Sequence, residues 1–197
     1  MTLRAIAWDV DDVLNDFTRR WLRDAWIASH PGCRLRYEDL TRNPPHELLA
    51  VTSEEYLDSL DDYRLDGRYR DMPASPEALG WFERHGEKFR HIALTAVPRK
   101  AAAVSAEWVV RNFGRWIRTF HFVPSLRPGE DTPRYDASKG EALSWLADVD
   151  LFVDDTPAHI SSAEKAGVRG LLFPAPWNNA GPRFNWDDVS AAPGDDR

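Results

Sequence analysis

Short apolar runs alternate along this chain with stretches whose apolar residues recur every three or four positions. Leu3, Ala5, Ile6, Ala7 and Trp8 make the first run, the pattern of a strand buried on both faces. Further runs stand at His91–Thr95, Ile117–Val123, Val149–Val153 and Val168–Phe173. From Asp16 to Ser29 the pattern is helical, with Phe17, Trp21, Leu22, Ala25 and Trp26 on one side and His30-Pro31-Gly32 as the stop. Ser75-Pro76-Glu77 opens a second helix with proline at its first position. That helix should carry Leu79, Trp81, Phe82 and Phe89 inward and finish near Lys88. Pro98–Phe113, Ala137–Leu146 and Pro157–Ala166 complete the helical set, with Gly114 and Gly167 as stops. Residues 33–72 differ. They hold short amphipathic pieces around Tyr37–Leu40, His46–Val51 and Ser53–Leu60, and no strand pattern.

Strands alternating with helices predict an α/β fold with a parallel sheet covered on both faces. A small helical insertion follows the first strand. Residues 1–15 and 73–190 are expected to form the core, 16–72 the insertion, and 191–197 a disordered tail.

Composition narrows the function. A chain of 197 residues, 43% of them hydrophobic, can bury one good core plus an insertion, not two large domains. A net charge of −7 argues against long nucleic acid or an anionic membrane as partner. A small anionic substrate stays open, because a bound metal reverses the sign locally. Cys33 is the sole cysteine, so no internal disulfide can form, and its HPGCRLR setting marks a surface or packing residue. No stretch approaches the roughly 20 apolar residues of a membrane helix. Asp9 arrives before a signal-peptide core could form, so the expected location is cytoplasmic, as a monomer or homodimer.

The chemistry begins where the first strand stops. Asp9, Asp11 and Asp12 follow it at once. Like charges this close repel, and each resists losing its water, so a cation or a reaction must need them there. One acid would suffice to cap the next helix, and Asn15 or Asp16 is better placed for that. Right-handed crossovers bring the C-terminal ends of parallel strands to one edge. That edge collects Asp9 and Asp11, then Thr95 and Ala96, then Asp154 and Asp155, with Lys139 on the helix before strand four.

Such a set can hold Mg²⁺, which takes oxygen ligands and keeps water and phosphate in its shell. Asp9 can attack phosphorus and form an aspartyl-phosphate. Asp11 can protonate the leaving oxygen and later deprotonate the attacking water. Mg²⁺ between Asp9, the Asp11 carbonyl and Asp154 would offset the repulsion between carboxylate and phosphate. Thr95 and backbone N–H groups beside it, at Ala96, can bind phosphate oxygens, while Lys139 neutralises the phosphate and Asp155, which stands behind the ligands. Singly, each residue has a plainer role in packing, solvation or capping; together and in this order they do not. A phosphate-accepting signalling module uses similar groups but places its lysine last, whereas Lys139 precedes Asp154. A non-catalytic binding protein would not need every position filled.

In these motifs the chain resembles haloacid-dehalogenase (HAD) superfamily phosphatases. Asp9-Val10-Asp11-Asp12-Val13-Leu14 matches the family's DxDx[TV][LV] motif, Thr95 its second, Lys139 its third, and Asp154-Asp155 its fourth. The resemblance implies a Rossmann-like core with a helical C1-type cap in place of the insertion, Mg²⁺, Asp9 as nucleophile and Asp11 as acid/base. Within the superfamily it is most similar to the 5′(3′)-deoxyribonucleotidase, or type C 5′-nucleotidase, group, through DVDDVLNDF, LTAVPRK, DLFVDDTP and PWNNAGPRFNW. Asp12 departs from that group's usual Gly, and Thr156 from a common Arg. The expected substrate is thus a nucleoside monophosphate, with another small phosphorylated metabolite (a sugar phosphate or phospho-amino acid) as the alternative. Phe17, Trp21 and Tyr69 are candidates for stacking on a base.

Overall fold

The computed structural model describes residues 4–131, 133, 135–146 and 148–191. Leu3 of the first predicted strand and residues 192–197 of the expected tail lie outside them. Strand β1 (Ala5–Trp8) is buried along its whole length, as an apolar run with sheet neighbours on both sides requires.

The predicted helix over 16–29 has the expected extent but an irregular centre. Helix α1 (Phe17–Trp21) passes into a π-helical stretch, Leu22–Trp26, and a last turn, α2 (Ile27–Ser29). The wide turn has a visible partner in packing: Trp21 and Trp26, five residues apart, are both buried with ring centroids 5.5 Å apart. Next, Tyr37–Asp39 forms one 3₁₀ turn, and the amphipathic piece at His46–Val51 makes turns rather than a helix, with Ala50 at φ 56°. Helix α3 (Ser53–Leu65) starts on a capping box between Thr52 and Glu55 and runs five residues past the expected end, to just before Asp66-Gly67.

The remaining elements, α8 apart, follow the pattern. They are α4 (Pro76–His85), β2 (Arg90–Val97), α5 (Arg99–Phe113), β3 (Ile117–Pro124), α6 (Lys139–Trp145), β4 (Val149–Asp154), α7 (Pro157–Lys165), β5 (Arg169–Leu172) and α8 (Trp186–Ser190). Trp81 and Phe82 of α4 point inward as expected, whereas Leu79 and Phe89 are only half-buried. Helix α8 was not expected: five residues are too few to show a period.

All strand pairs are parallel, in the order β3-β2-β1-β4-β5. Each face of the sheet carries its own core. On one, Trp8 meets Trp81, Phe82 and Trp186 with ring centroids 5.1, 5.0 and 6.4 Å away. On the other, Ala7, Leu94 and Phe152 pack with Ala142, Leu143, Ile160 and Ala163 of α6 and α7. The insertion has no separate core: Phe17, Trp21, Tyr56, Tyr63 and Tyr69 join the cluster around Trp8. The chain leaves the sheet and returns at one place, where Ser75 N donates to Leu14 O (2.8 Å). Among the described residues no helix is long and apolar enough to cross a membrane.

His91 is buried against this aromatic cluster. Trp8 Nε1 donates to its Nδ1 (3.0 Å), so its Nε2 carries the proton and donates to Gly86 O (2.8 Å). Burial pushes the imidazole down to about 4 from its ordinary 6.5, against the pull of the Gly86 carbonyl. A depressed histidine stabilises the fold fully above the unfolded value, and that stability drains as pH falls towards the folded one. Unfolding by denaturant should therefore show wild type losing about 3 kcal/mol relative to His91→Gln as pH falls from 6.5 to 4. A pH-independent difference between the two would remove this role.

Candidate active site

The site is built at the C-terminal edge of the sheet. Directly after β1, Asp9 N donates to Val153 O of β4 (2.9 Å), while Asp9 Oδ1 accepts from Val10 N (2.7 Å). Val10, Val13 and Leu14 are buried and pin the loop that follows. Asp12 sits at φ 63°, the left-handed region where glycine is at ease and Asp is tolerated. Its carboxylate is tied to Thr18, accepting from N (2.9 Å) and Oγ1 (2.5 Å). Asn15 rather than Asp16 caps α1, its Oδ1 accepting from Phe17 N (3.0 Å) and Asp12 N (3.1 Å).

Lys139 opens α6 and is buried among acids. Its Nζ lies 2.7 Å from Asp9 Oδ2 and 2.6 Å from Asp154 Oδ2, the last residue of β4. Gly140 beside it lets α6 lie close on α7: a Cβ there would stand 2.5 Å from Ser162 O of α7. Asp154 Oδ1 also accepts from Thr156 N (2.8 Å), and His159 Nδ1 lies 3.1 Å from it. Burial alone would raise Asp154, but Lys139 and His159 reverse this and hold it down to about 2. Asp9 moves the other way, to about 6, because burial outweighs Lys139 and Asp154 repels it. Burial also lifts Asp12 to about 7, against the Thr18 bonds and with repulsion from Asp11 and Asp9. Asp155 is pushed well above the carboxylate range by burial and then by Asp154 and Asp9. Trp177 Nε1 donates to its Oδ2 (2.8 Å), and Asn178 Nδ2 to its backbone oxygen (2.6 Å).

The insertion supplies the roof. Asp11 Oδ1 accepts from Tyr69 OH (2.7 Å) and Asn15 Nδ2 (3.2 Å), and Oδ2 from Arg64 Nη2 (3.0 Å). The Arg64 guanidinium lies over the Phe17 ring, 4.2 Å from its centroid. Asp61, one turn before Arg64 on α3, is fully buried. Arg127 reaches it with Nε (2.7 Å) and Nη2 (2.8 Å), and Lys100 of α5 lies 3.2 Å away. Burial would raise Asp61, but these cations, Arg127 first, keep it below the ordinary range.

A cavity of about 190 Å³ lies between roof and sheet edge. Asp9, Asp11, Thr95, Ala96, Lys139, Asp155 and Phe17 line it, so most of the residues singled out in the sequence do converge. Asp154 stands behind this wall, joined to it through Lys139 and His159. Two of the three stacking candidates are elsewhere. Trp21 is buried under Tyr56 with Nε1 donating to Ser59 Oγ (3.0 Å), and Tyr69 is buried behind Asp11. Phe17 meets the cavity but is nearly buried and already covered by Arg64.

Arg64, Arg127, Ser125 and His159 also line the cavity, and sequence reasoning missed them. Arg64 carried a weak signal, as the lone arginine of α3, six residues after Asp58 on a helix otherwise rich in acids.

The donor set suits a hard divalent cation. Asp9, Asp154 and His159 each offer a ligand atom, all within 4.8 Å of one another. Asp9, Asp12 and Asp155 are all shifted upward, first by burial and then by repulsion from neighbouring acids, and a cation bound among them would counter both.

The arrangement belongs to the HAD-like α/β fold. The chain superposes on a haloacid dehalogenase-like family hydrolase from Streptococcus pneumoniae with a TM-score of 0.56 at 12% identity, covering 86% of this chain and 84% of that one. A HAD family hydrolase from Deinococcus radiodurans gives 0.55 at 16% identity, over 96% and 89% of the two chains. A HAD-superfamily hydrolase, subfamily IA, from Geobacter sulfurreducens gives 0.51 at 18%, over 88% and 90%. No family model and no curated protein matches the sequence.

Replacing Lys139 by Met leaves Asp9 and Asp154 buried without their ammonium. Denaturant titration of metal-free protein at neutral pH should show a loss of about 3–5 kcal/mol. A loss below about 1 kcal/mol would mean that this ion triad does not hold the sheet edge together.

Proposed function

We propose that this protein is a phosphomonoester hydrolase working through an aspartyl-phosphate on Asp9. The observation that carries the reading is Asp9 itself: a carboxylate at the end of the central strand, backed by Lys139, facing a small cavity with Asp11 two residues away. Support also comes from the Deinococcus radiodurans hydrolase of the same fold, which was solved with bound phosphate and sodium.

In the first step an Asp9 oxygen attacks phosphorus and the bond to the leaving oxygen breaks, with Asp11 giving that oxygen a proton. In the second, water attacks the same phosphorus and gives its proton to Asp11; the acyl-phosphate P–O bond breaks, releasing phosphate and restoring Asp9. Lys139 holds Asp9 in place and offsets charge on the phosphoryl oxygens, and Thr95 and the Ala96 backbone line the wall where those oxygens lie. The residues that would hold Mg²⁺ are Asp9, Asp154 and the Asp11 carbonyl, with Asp155, which lines the cavity, beside them. When bound, the ion supplies charge neutralisation between nucleophile and phosphate.

A small phosphorylated metabolite suits the cavity better than a nucleotide. Its volume of about 190 Å³ falls below the ~300–1,000 Å³ of pockets that enclose drug-sized ligands. The three aromatic candidates are committed to packing, which leaves none of them free to take a base.

Purified protein with Mg²⁺ should hydrolyse p-nitrophenyl phosphate, and EDTA should abolish turnover until Mg²⁺ is restored. Asp9→Asn should fall to background with an unchanged circular dichroism spectrum; retained turnover excludes Asp9 as nucleophile. On a panel of phosphoesters, sugar phosphates and short alkyl phosphates should show higher kcat/KM than nucleoside monophosphates. A nucleotide at the top would overturn the size argument.

A further inference from the structure

We infer that Arg64 is a positioning residue that selects Oδ2 of Asp11 as the proton-transferring oxygen, and that Asp61 holds Arg64 for that purpose. The inference rests on the acid/base role of Asp11 proposed above. A carboxylate offers about four acceptor sites, two on each oxygen. On Asp11, Oδ1 has both filled, by Tyr69 OH (2.7 Å) and Asn15 Nδ2 (3.2 Å). Oδ2 has one filled, by Arg64 Nη2 (3.0 Å), and so keeps one for a proton shared with substrate. Three donors from three directions also fix the carboxylate's rotation, which a flexible acid does not have before substrate arrives.

Two of those donors come from the insertion, so the acid's aim depends on where α3 sits. Asp61 sets that position. It is the only anion of α3 that is fully buried among the described residues, and it takes Arg127 and Lys100 from the core side. Arg64 Nη1 lies 3.4 Å from the same carboxylate, so one guanidinium spans Asp61 and Asp11. Its Nε is buried without a partner, the mark of a group held by its two ends and by Phe17 beneath rather than by local convenience.

Leaving-group dependence separates aiming from mere stability. A p-nitrophenolate departs without a proton, whereas an alkoxide needs one, and kcat/KM reports the step up to the aspartyl-phosphate. The quantity to measure is the ratio of kcat/KM for p-nitrophenyl phosphate to that for the best alkyl phosphate of the panel. Asp11→Asn, as reference, should raise this ratio by about 100-fold or more. Arg64→Gln and Asp61→Asn should each raise it about tenfold or more, and Arg64→Lys, which keeps the charge, by less. A purely structural role lowers both substrates together and leaves the ratio flat. If Asp11→Asn raises the ratio and neither Arg64 variant does, the inference is wrong while the phosphatase reading stands. If Asp11→Asn itself leaves the ratio flat, Asp11 is not the acid and the inference falls with that role, while turnover by Asp9→Asn still decides the nucleophile. Should Asp61→Asn fail to fold, the two Arg64 variants still decide.

Discussion

One ammonium group between two buried carboxylates is the contact on which this architecture turns. Lys139 Nζ touches Asp9 and Asp154, the residues at which the two central strands end. Without it the sheet edge would hold three acids, Asp9, Asp154 and Asp155, nearly out of water, with Asp12 half-buried beside them. With it, Asp154 is held down while burial still pushes Asp9, Asp12 and Asp155 upward. Burying these acids is costly to a fold and useful to a reaction, since a cation entering the site would offset that cost. The glycine beside Lys139 shows how tightly helix packing serves this contact.

The roof answers the same problem from the other side. Asp61, Arg64 and Arg127 form a largely buried ion network, joined at its rim by the exposed Lys100, that ties α3 to the core, and its far end is Asp11. Buried pairs of this kind contribute little net stability but are intolerant of losing one member, which makes them good at enforcing a single arrangement. Because the insertion also shares the aromatic cluster around Trp8, its position over the sheet edge is set by packing as well as by charge.

Much of this was legible in the sequence because it is local or periodic. Runs such as Ala5–Trp8 announce a two-sided strand, and Asp9, Asp11 and Asp154 sit at strand ends that parallel topology brings to one edge, with Thr95 two residues inside the end of β2. Lys139 was legible only in company with them. What could not be read depends on distances between elements: Asp61 lies 66 positions from Arg127, and Arg64 lies 53 from Asp11. No period or motif encodes those meetings. The aromatic candidates misled for a related reason. Residues at helical spacing declare a buried face, and Trp21 and Tyr69 proved to be core, not ligand surface. The end of α3 was misjudged because Asp61, a polar residue at a buried position, breaks the apolar period just where the ion network needs it.

The hydrogen bond between Ser75 N and Leu14 O places both margins of the insertion within one residue pair of each other. A graft at that seam need not pull on the sheet, since its ends are already together, and the entropic cost of lengthening a loop rises only with the logarithm of its length. Roofs of different size could thus be spliced onto an unchanged set of strand-end acids. Evolution could retune which molecules fit while leaving the reacting groups where they are.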